Sequence, residues 1–197
     1  IEVMAHEPDA VNCWAPEILY DWPTEQYMIY WATTIPGRFP ETDDTGDVSR
    51  EGYKQNHRIY YITTKDFETF SKTALLYDGG FNSIDATIVC DGGRYLMFIK
   101  DETKRPQAKK NLRLTVSDKL TGPYGPACEP FTPSWVEGPT VLKIDEYWVV
   151  YYDEYTRHHY GAVRSKDLQT WEVINDKLRF PEGIRHGTAF EVTSEIL

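Results

Sequence analysis

Cysteine is scarce in this chain. Its three residues, Cys13, Cys90 and Cys128, are odd in number and lack metal-ligand spacing. That argues against a disulfide framework and against a zinc site built on thiolates. Long apolar runs are missing as well. The longest strongly apolar stretch, Tyr147-Trp148-Val149-Val150-Tyr151-Tyr152, falls far short of the roughly 20 residues a helix needs to cross a bilayer, so no membrane partner is expected. Positive charge is in deficit: 21 Lys and Arg stand against 31 Asp and Glu, a formal net charge of −10. An acidic surface repels phosphates, which excludes nucleic acid as the expected partner. Helical periodicity of useful length is absent, so a helical solenoid is excluded too. No signal-peptide pattern is visible, and the chain opens on Ile1 in what reads as the middle of a domain.

What is abundant is aromatic and β-branched sequence, broken by turns and repeated. The stretch organising the chain is Glu137-Gly138-Pro139-Thr140, a carboxylate at the mouth of an apolar strand. Three other stretches share its layout: Trp14-Ala15-Pro16-Glu17, Asp85-Ala86-Thr87 and His186-Gly187-Thr188. This layout sets Trp14, Asp85, Glu137 and His186 at one position of a repeat. After each of the first three comes a second strand pattern (26–32, 94–100, 147–152) and then a third (57–62, 111–116, 159–164). The turns after the third strands match closely in Thr64-Lys65-Asp66-Phe67-Glu68-Thr69 and Ser165-Lys166-Asp167-Leu168-Gln169-Thr170.

Four short antiparallel strands in about 50 residues make one propeller blade. The chain is therefore expected to be an all-β single propeller domain, 1–197, with blades at 14–81, 85–134 and 137–182 and a last inner strand at 184–193. Three blades and a strand do not close a ring, since propellers typically have about 4–8 blades. Exposed blade flanks imply self-association or a missing N-terminal segment. A β-sandwich with accidental internal similarity is the competing architecture.

The motifs Trp-Ala-Pro-Glu at 14–17, Ser-Ile-Asp-Ala at 83–86, Glu-Gly-Pro-Thr at 137–140 and His-Gly-Thr at 186–188 occur in the order found in family 43 of the glycoside hydrolases, which the chain resembles over essentially its whole length. The resemblance implies a five-bladed propeller of the arabinofuranosidase and xylosidase type. It implies an inverting glycosidase releasing terminal arabinofuranosyl or xylosyl residues from plant-type oligo- or polysaccharides, in a secreted or periplasmic setting. It makes Glu137 the general acid and Asp85 the carboxylate that orients and tunes it. The family's base aspartate, in an Asp-Pro motif, has no match here and is expected upstream. A sugar-binding propeller lacking the base is the alternative. In the family the histidine matching His186 lines the central cavity, in some members near a cation. A structural calcium beside His186 is thus the one cofactor expectation. No cofactor is required for the reaction, and no metal-ligating residues are assigned.

The chemistry fits such an arrangement. One carboxyl must give a proton to the leaving oxygen while another carboxylate activates water on the opposite face of the sugar. Trp135 and the charge of Asp85 are expected to favour the proton that Glu137 must keep. Trp14, Trp31 and Trp135 are candidates to stack on sugar faces, with core packing as the competing role, evenly so for Trp31. Glu17 and Arg185 are candidates to bind sugar hydroxyls. Trp148 and Trp171 are assigned to the core between blades. Because the first strand of each blade leaves the face carrying Asp85 and Glu137, the connections 35–56 and 101–110 are expected on that face. The first of them, with Arg38, Phe39 and Tyr53, is expected to shape specificity.

Overall fold

The computed structural model describes residues 7–192. It holds eleven strands in three antiparallel sheets. The first sheet comprises β1 (Trp14–Asp21), β2 (Gln26–Thr34), β3 (His57–Thr64) and β4 (Ala74–Tyr77). The second comprises β5 (Ser83–Asp91), β6 (Arg94–Asp101) and β7 (Asn111–Ser117). The third comprises β8 (Glu137–Ile144), β9 (Tyr147–Glu154), β10 (His159–Ser165) and β11 (Glu172–Val173). Each sheet is a meander in sequence order, and the inner strands β1, β5 and β8 lie against one another. This is the blade arrangement expected of a propeller, present here as three consecutive blades without ring closure.

Two details differ from expectation. The second blade has three strands, not four. Its outer edge is taken by an extended segment that touches β7 only at intervals, where Gly125, Cys128 and Phe131 donate backbone N–H groups to Val116, Leu114 and Leu112. Proline at 123, 126, 130 and 133 keeps this segment from forming a continuous ladder. The expected last strand is likewise absent from 184–192, residue 193 lying outside the described residues. That segment is pinned at points instead, with Ala189 N donating to Thr140 Oγ1 at 2.7 Å.

Period-2 alternation places the core. Tyr95, Met97 and Ile99 of β6 face the first sheet, meeting Met28, Tyr30 and Ile59. Leu96 and Phe98 face the third, meeting Val141, Trp148, Val150 and Tyr152. The middle sheet is thus covered on both sides, which explains its near-continuous apolar run. Phe131 stacks on Trp171 at 4.3 Å, so Trp148 and Trp171 belong to this inter-blade core.

The two matching turns are built alike. Asp66 Oδ1 accepts from the N–H groups of Glu68 and Thr69, and Asp167 Oδ1 from those of Gln169 and Thr170. Phe67 and Leu168 occupy the same left-handed position, with φ of 57° and 61°. The three cysteines are free and exposed.

Candidate active site

The inner strands share a kink. In β1 the pairing with β2 shifts between Trp14 and Glu17, in β5 between Ile84 and Thr87, and in β8 between Glu137 and Thr140. Each is a β-bulge, one extra residue that re-aims the side chains beside it. The extra residue has positive φ in all three: Ala15 at 47°, Asp85 at 51° and Gly138 at 55°. This corrects the repeat alignment by one residue. Trp14, Ile84 and Glu137 are equivalent, and Asp85 stands at the bulge with Ala15 and Gly138. Aspartate is among the few side-chain-bearing residues that visit this left-handed region routinely.

The offset lets two carboxylates converge from different depths. Asp85 is buried, and its Oδ2 accepts the Gly138 N–H at 3.1 Å, the bulge of one blade bonding the bulge of the next. Burial pushes the Asp85 carboxyl above its ordinary value, with the negative charge of Glu137 adding to the effect, while Lys100 and His186 oppose it. Glu137 is half-buried. The groups facing it are cationic rather than the apolar wall expected from Trp135: Lys100 Nζ lies 3.1 Å from Oε2, and Arg185 Nη2 lies 3.6 Å from Oε1. Trp135 instead meets Tyr155 edge-on.

Segment 185–188 closes the site. Arg185 Nε donates to Asp153, the buried residue paired with Glu137 across β8 and β9. His186 Nε2 lies 3.5 Å from Asp85 Oδ2 and 3.7 Å from Glu137 Oε1. Thr188 Oγ1 donates to Glu17 Oε1 at 3.1 Å, and burial raises the Glu17 carboxyl. Gly138 makes room for the imidazole, since a Cβ there would fall 2.2 Å from His186 Cδ2. Together Glu17, Asp85, Gly138, His186 and Thr188 line a cavity of about 200 Å³.

Asp85, Glu137 and His186 each offer an atom within 4.8 Å of the others. Calcium takes about six to eight oxygen ligands. An imidazole and two carboxylates, one already facing Lys100 and Arg185, are a poor match for the calcium expected beside His186.

The aromatic candidates separate. Trp14 is 40% exposed and lies beside the buried His57, ring centroids 5.0 Å apart. Asn12 and Asn82 hold that ring, and its burial drops His57 to about 4, so it is neutral. Trp31 is 3% exposed and packs among Ile35, Tyr60 and Ile62, which makes it a core residue rather than a sugar platform. Both long connections lie on the Glu137 face. Glu102 of the second pairs with Lys100, and Asp47 of the first pairs with Lys104 and Lys110. Neither lines the cavity. Arg38 pairs with Glu7, Phe39 packs under Arg58, and Tyr53 bonds the Val11 carbonyl. Lys100 is the site residue that the motifs did not single out. Its signal is phase, because it follows Leu96 and Phe98 on the face of β6 turned toward the third blade, in a strand buried on both faces.

A family model described as "Probable glycosyl hydrolase domain", the group related to glycoside hydrolase family 43, matches residues 1–196. An α-L-arabinofuranosidase of Bifidobacterium longum is 27% identical over 165 residues, covering 73% of this chain and 15% of that protein. Among solved structures, the endo-arabinase of Bacteroides thetaiotaomicron superposes with a TM-score of 0.54 at 18% identity, over 80% of this chain and 52% of its own. The exo-β-1,3-galactanase of Clostridium thermocellum superposes with a TM-score of 0.60 at 14% identity, over 86% and 37%. The chain thus spans about half or less of each of these proteins, and the solved structures share its fold. Matched along almost its whole length, the chain belongs to the family 43-related glycosyl hydrolase domains.

Proposed function

We propose that this chain carries the proton-donating half of an inverting glycosidase, with Glu137 as general acid and Asp85 as the carboxylate that orients it. The observation that carries this is the convergence of both on His186, Asp85 buried in the wall of the cavity and Glu137 half-buried beside it, from the bulged inner strands of adjacent blades. Their separation supports the division of labour. Acid and base of an inverting enzyme stand roughly 6.5–9.5 Å apart to admit water between them. Asp85 and Glu137 approach within 4.8 Å, too close for that pair. Asp85 is therefore not the base; because no stretch of this chain matches the family's Asp-Pro motif, we assign that role to an aspartate outside it, and a segment carrying it, or a second copy, is the partner proposed for the open blade flanks.

In the reaction Glu137 gives its proton to the glycosidic oxygen. Asp85, held by the Gly138 N–H, keeps the acid oriented. Arg185, His186 and Glu17 contact sugar hydroxyls, and the exposed face of Trp14 receives the apolar side of the ring. The substrate proposed is a terminal pentose, arabinofuranosyl before xylosyl, on a plant-type glycan. The match to an arabinofuranosidase favours this order. A secreted or periplasmic location goes with such polymers.

The test is a panel of aryl arabinofuranosides, xylosides and galactosides assayed with the full-length protein, reading the anomer first released by NMR. Arabinose released with inverted configuration is the expected result. Release of galactose alone overturns the pentose assignment, and retained configuration overturns the mechanism. Sugar binding without hydrolysis marks a binding domain.

A further inference from the structure

We propose that Lys100 is a positioning residue for the acid: by donating to Oε2 of Glu137, it leaves Oε1 as the oxygen that carries the transferred proton. The inference rests on Glu137 being the acid.

Lys100 ends the apolar phase of β6 and is 2% exposed. An ammonium buried this deeply is tolerated only when paired. Burial disfavours its charge, but the carboxylates of Glu102, Asp85 and Glu137 outweigh burial and keep it protonated. Its Nζ lies 2.6 Å from Glu102 Oε2 and 3.1 Å from Glu137 Oε2, with the Tyr155 ring at 5.0 Å.

An ammonium has donors only. Oε2 of Glu137 must therefore accept, and a proton on that oxygen would collide with those of Lys100. Oε1 has no such constraint. Arg185 at 3.6 Å and His186 at 3.7 Å are too far to hydrogen-bond it. It is also the oxygen nearer His186, which lines the cavity. Asp85 accepts from the Gly138 N–H and Asp153 from the Arg185 Nε, so each has a donor of its own, and the Lys100 ammonium hydrogen-bonds Oε2 of Glu137.

Lys100 is also fixed without help from Glu137. Glu102 holds it, and the buried Lys110 holds Glu102 while donating to Asp47 at 2.9 Å. Lys104 pairs with the other oxygen of Asp47. The alternating series reaches from the acid on the third blade, through the second, to the 35–56 connection of the first. Glu137 can therefore gain and lose its proton at each turnover while its carboxyl stays in place.

The experiment compares Lys100→Met with the parent in the full-length protein, on two aryl glycosides of one sugar. One has a very good leaving group that needs no proton, the other a poor one. A misplaced acid should lower kcat/KM by about 10–100-fold on the poor leaving group, chiefly through kcat, and by less than about 3-fold on the good one. Adding Lys100→Met to Glu137→Gln should cost nothing further. Glu102→Gln, a gentler change, should show the same leaving-group pattern at smaller size, and it decides the question if Lys100→Met does not fold. Equal losses on both substrates in a folded variant, or full additivity with Glu137→Gln, overturn the inference. A Glu137→Gln enzyme with no leaving-group dependence overturns the acid assignment and this inference together. A dependent Glu137→Gln with an independent Lys100→Met overturns this inference alone.

Discussion

Gly138→Ala tests the site through a single methyl group. The new Cβ would fall 2.2 Å from His186 Cδ2 and 2.3 Å from Nε2, where ordinary contact begins at 3.4 Å. The imidazole must retreat by about 1 Å, taking Arg185 and Thr188 with it, and a misplacement of that size can cost about 10²-fold in rate. The backbone cost is smaller. Holding a side-chain-bearing residue at φ 55° costs roughly 1–2 kcal/mol. Ala15 already occupies the equivalent bulge of β1 at 47°, so the geometry admits alanine. For a domain of this size the strain amounts to a Tm loss of roughly 2–8 °C. The assay is kcat/KM on an aryl glycoside beside a thermal melt, with Gly187→Ala as control, because a Cβ there meets nothing closer than 3.8 Å. Near-parental activity in Gly138→Ala, or equal losses in both variants, would refute the placement of His186 against the β8 bulge.

Three further outcomes are expected. Burial raises the Asp85 carboxyl above 3.8, so its protonated form is favoured by folding and stability is lost as pH rises through the folded value. Asp85→Asn should therefore abolish most activity without lowering Tm at pH 7, and a clearly lower Tm would contradict that reading. Trp31→Ala should cost about 3–5 kcal/mol in denaturant unfolding as a core deletion, whereas Trp14→Ala should raise KM with little change in stability. Backbone N–H groups of Thr69 and Thr170 hold Asp66 and Asp167 at about 2, so their contribution is present above pH 3.8 and fades as pH falls toward 2. Replacing both by Asn should flatten that part of the stability profile.

The blades were legible because their signal is local. Alternation on β2, β6 and β9 and the paired Asp66 and Asp167 turns are written in neighbouring residues. The alignment of Asp85 with Glu137 slipped by one because a bulge is defined by backbone φ, and the residues sharing that position, Ala15, Asp85 and Gly138, have little side-chain chemistry in common. The strand expected at 184–193 followed from His-Gly-Thr resembling the other inner starts, yet side-chain bonds from Glu17, Thr140 and Asp153 hold that segment without a ladder. The prolines of 123–133 were in plain view, and their effect on the fourth strand of the second blade could have been read. The motifs do not mark Lys100, because an isolated lysine near the end of a strand usually faces solvent. Only its phase with Leu96 and Phe98, and the arrival of Glu102 and Glu137 from elsewhere in the chain, mark it as buried.

The claim that Glu137 donates the proton is tested most directly by Glu137→Gln in the full-length protein, measured across aryl glycosides of graded leaving-group ability. General acid catalysis contributes roughly 10²–10⁴-fold. The loss should approach that size on the poorest leaving group and shrink steadily toward the best, with binding retained throughout. A loss that is the same on every leaving group would contradict the assignment.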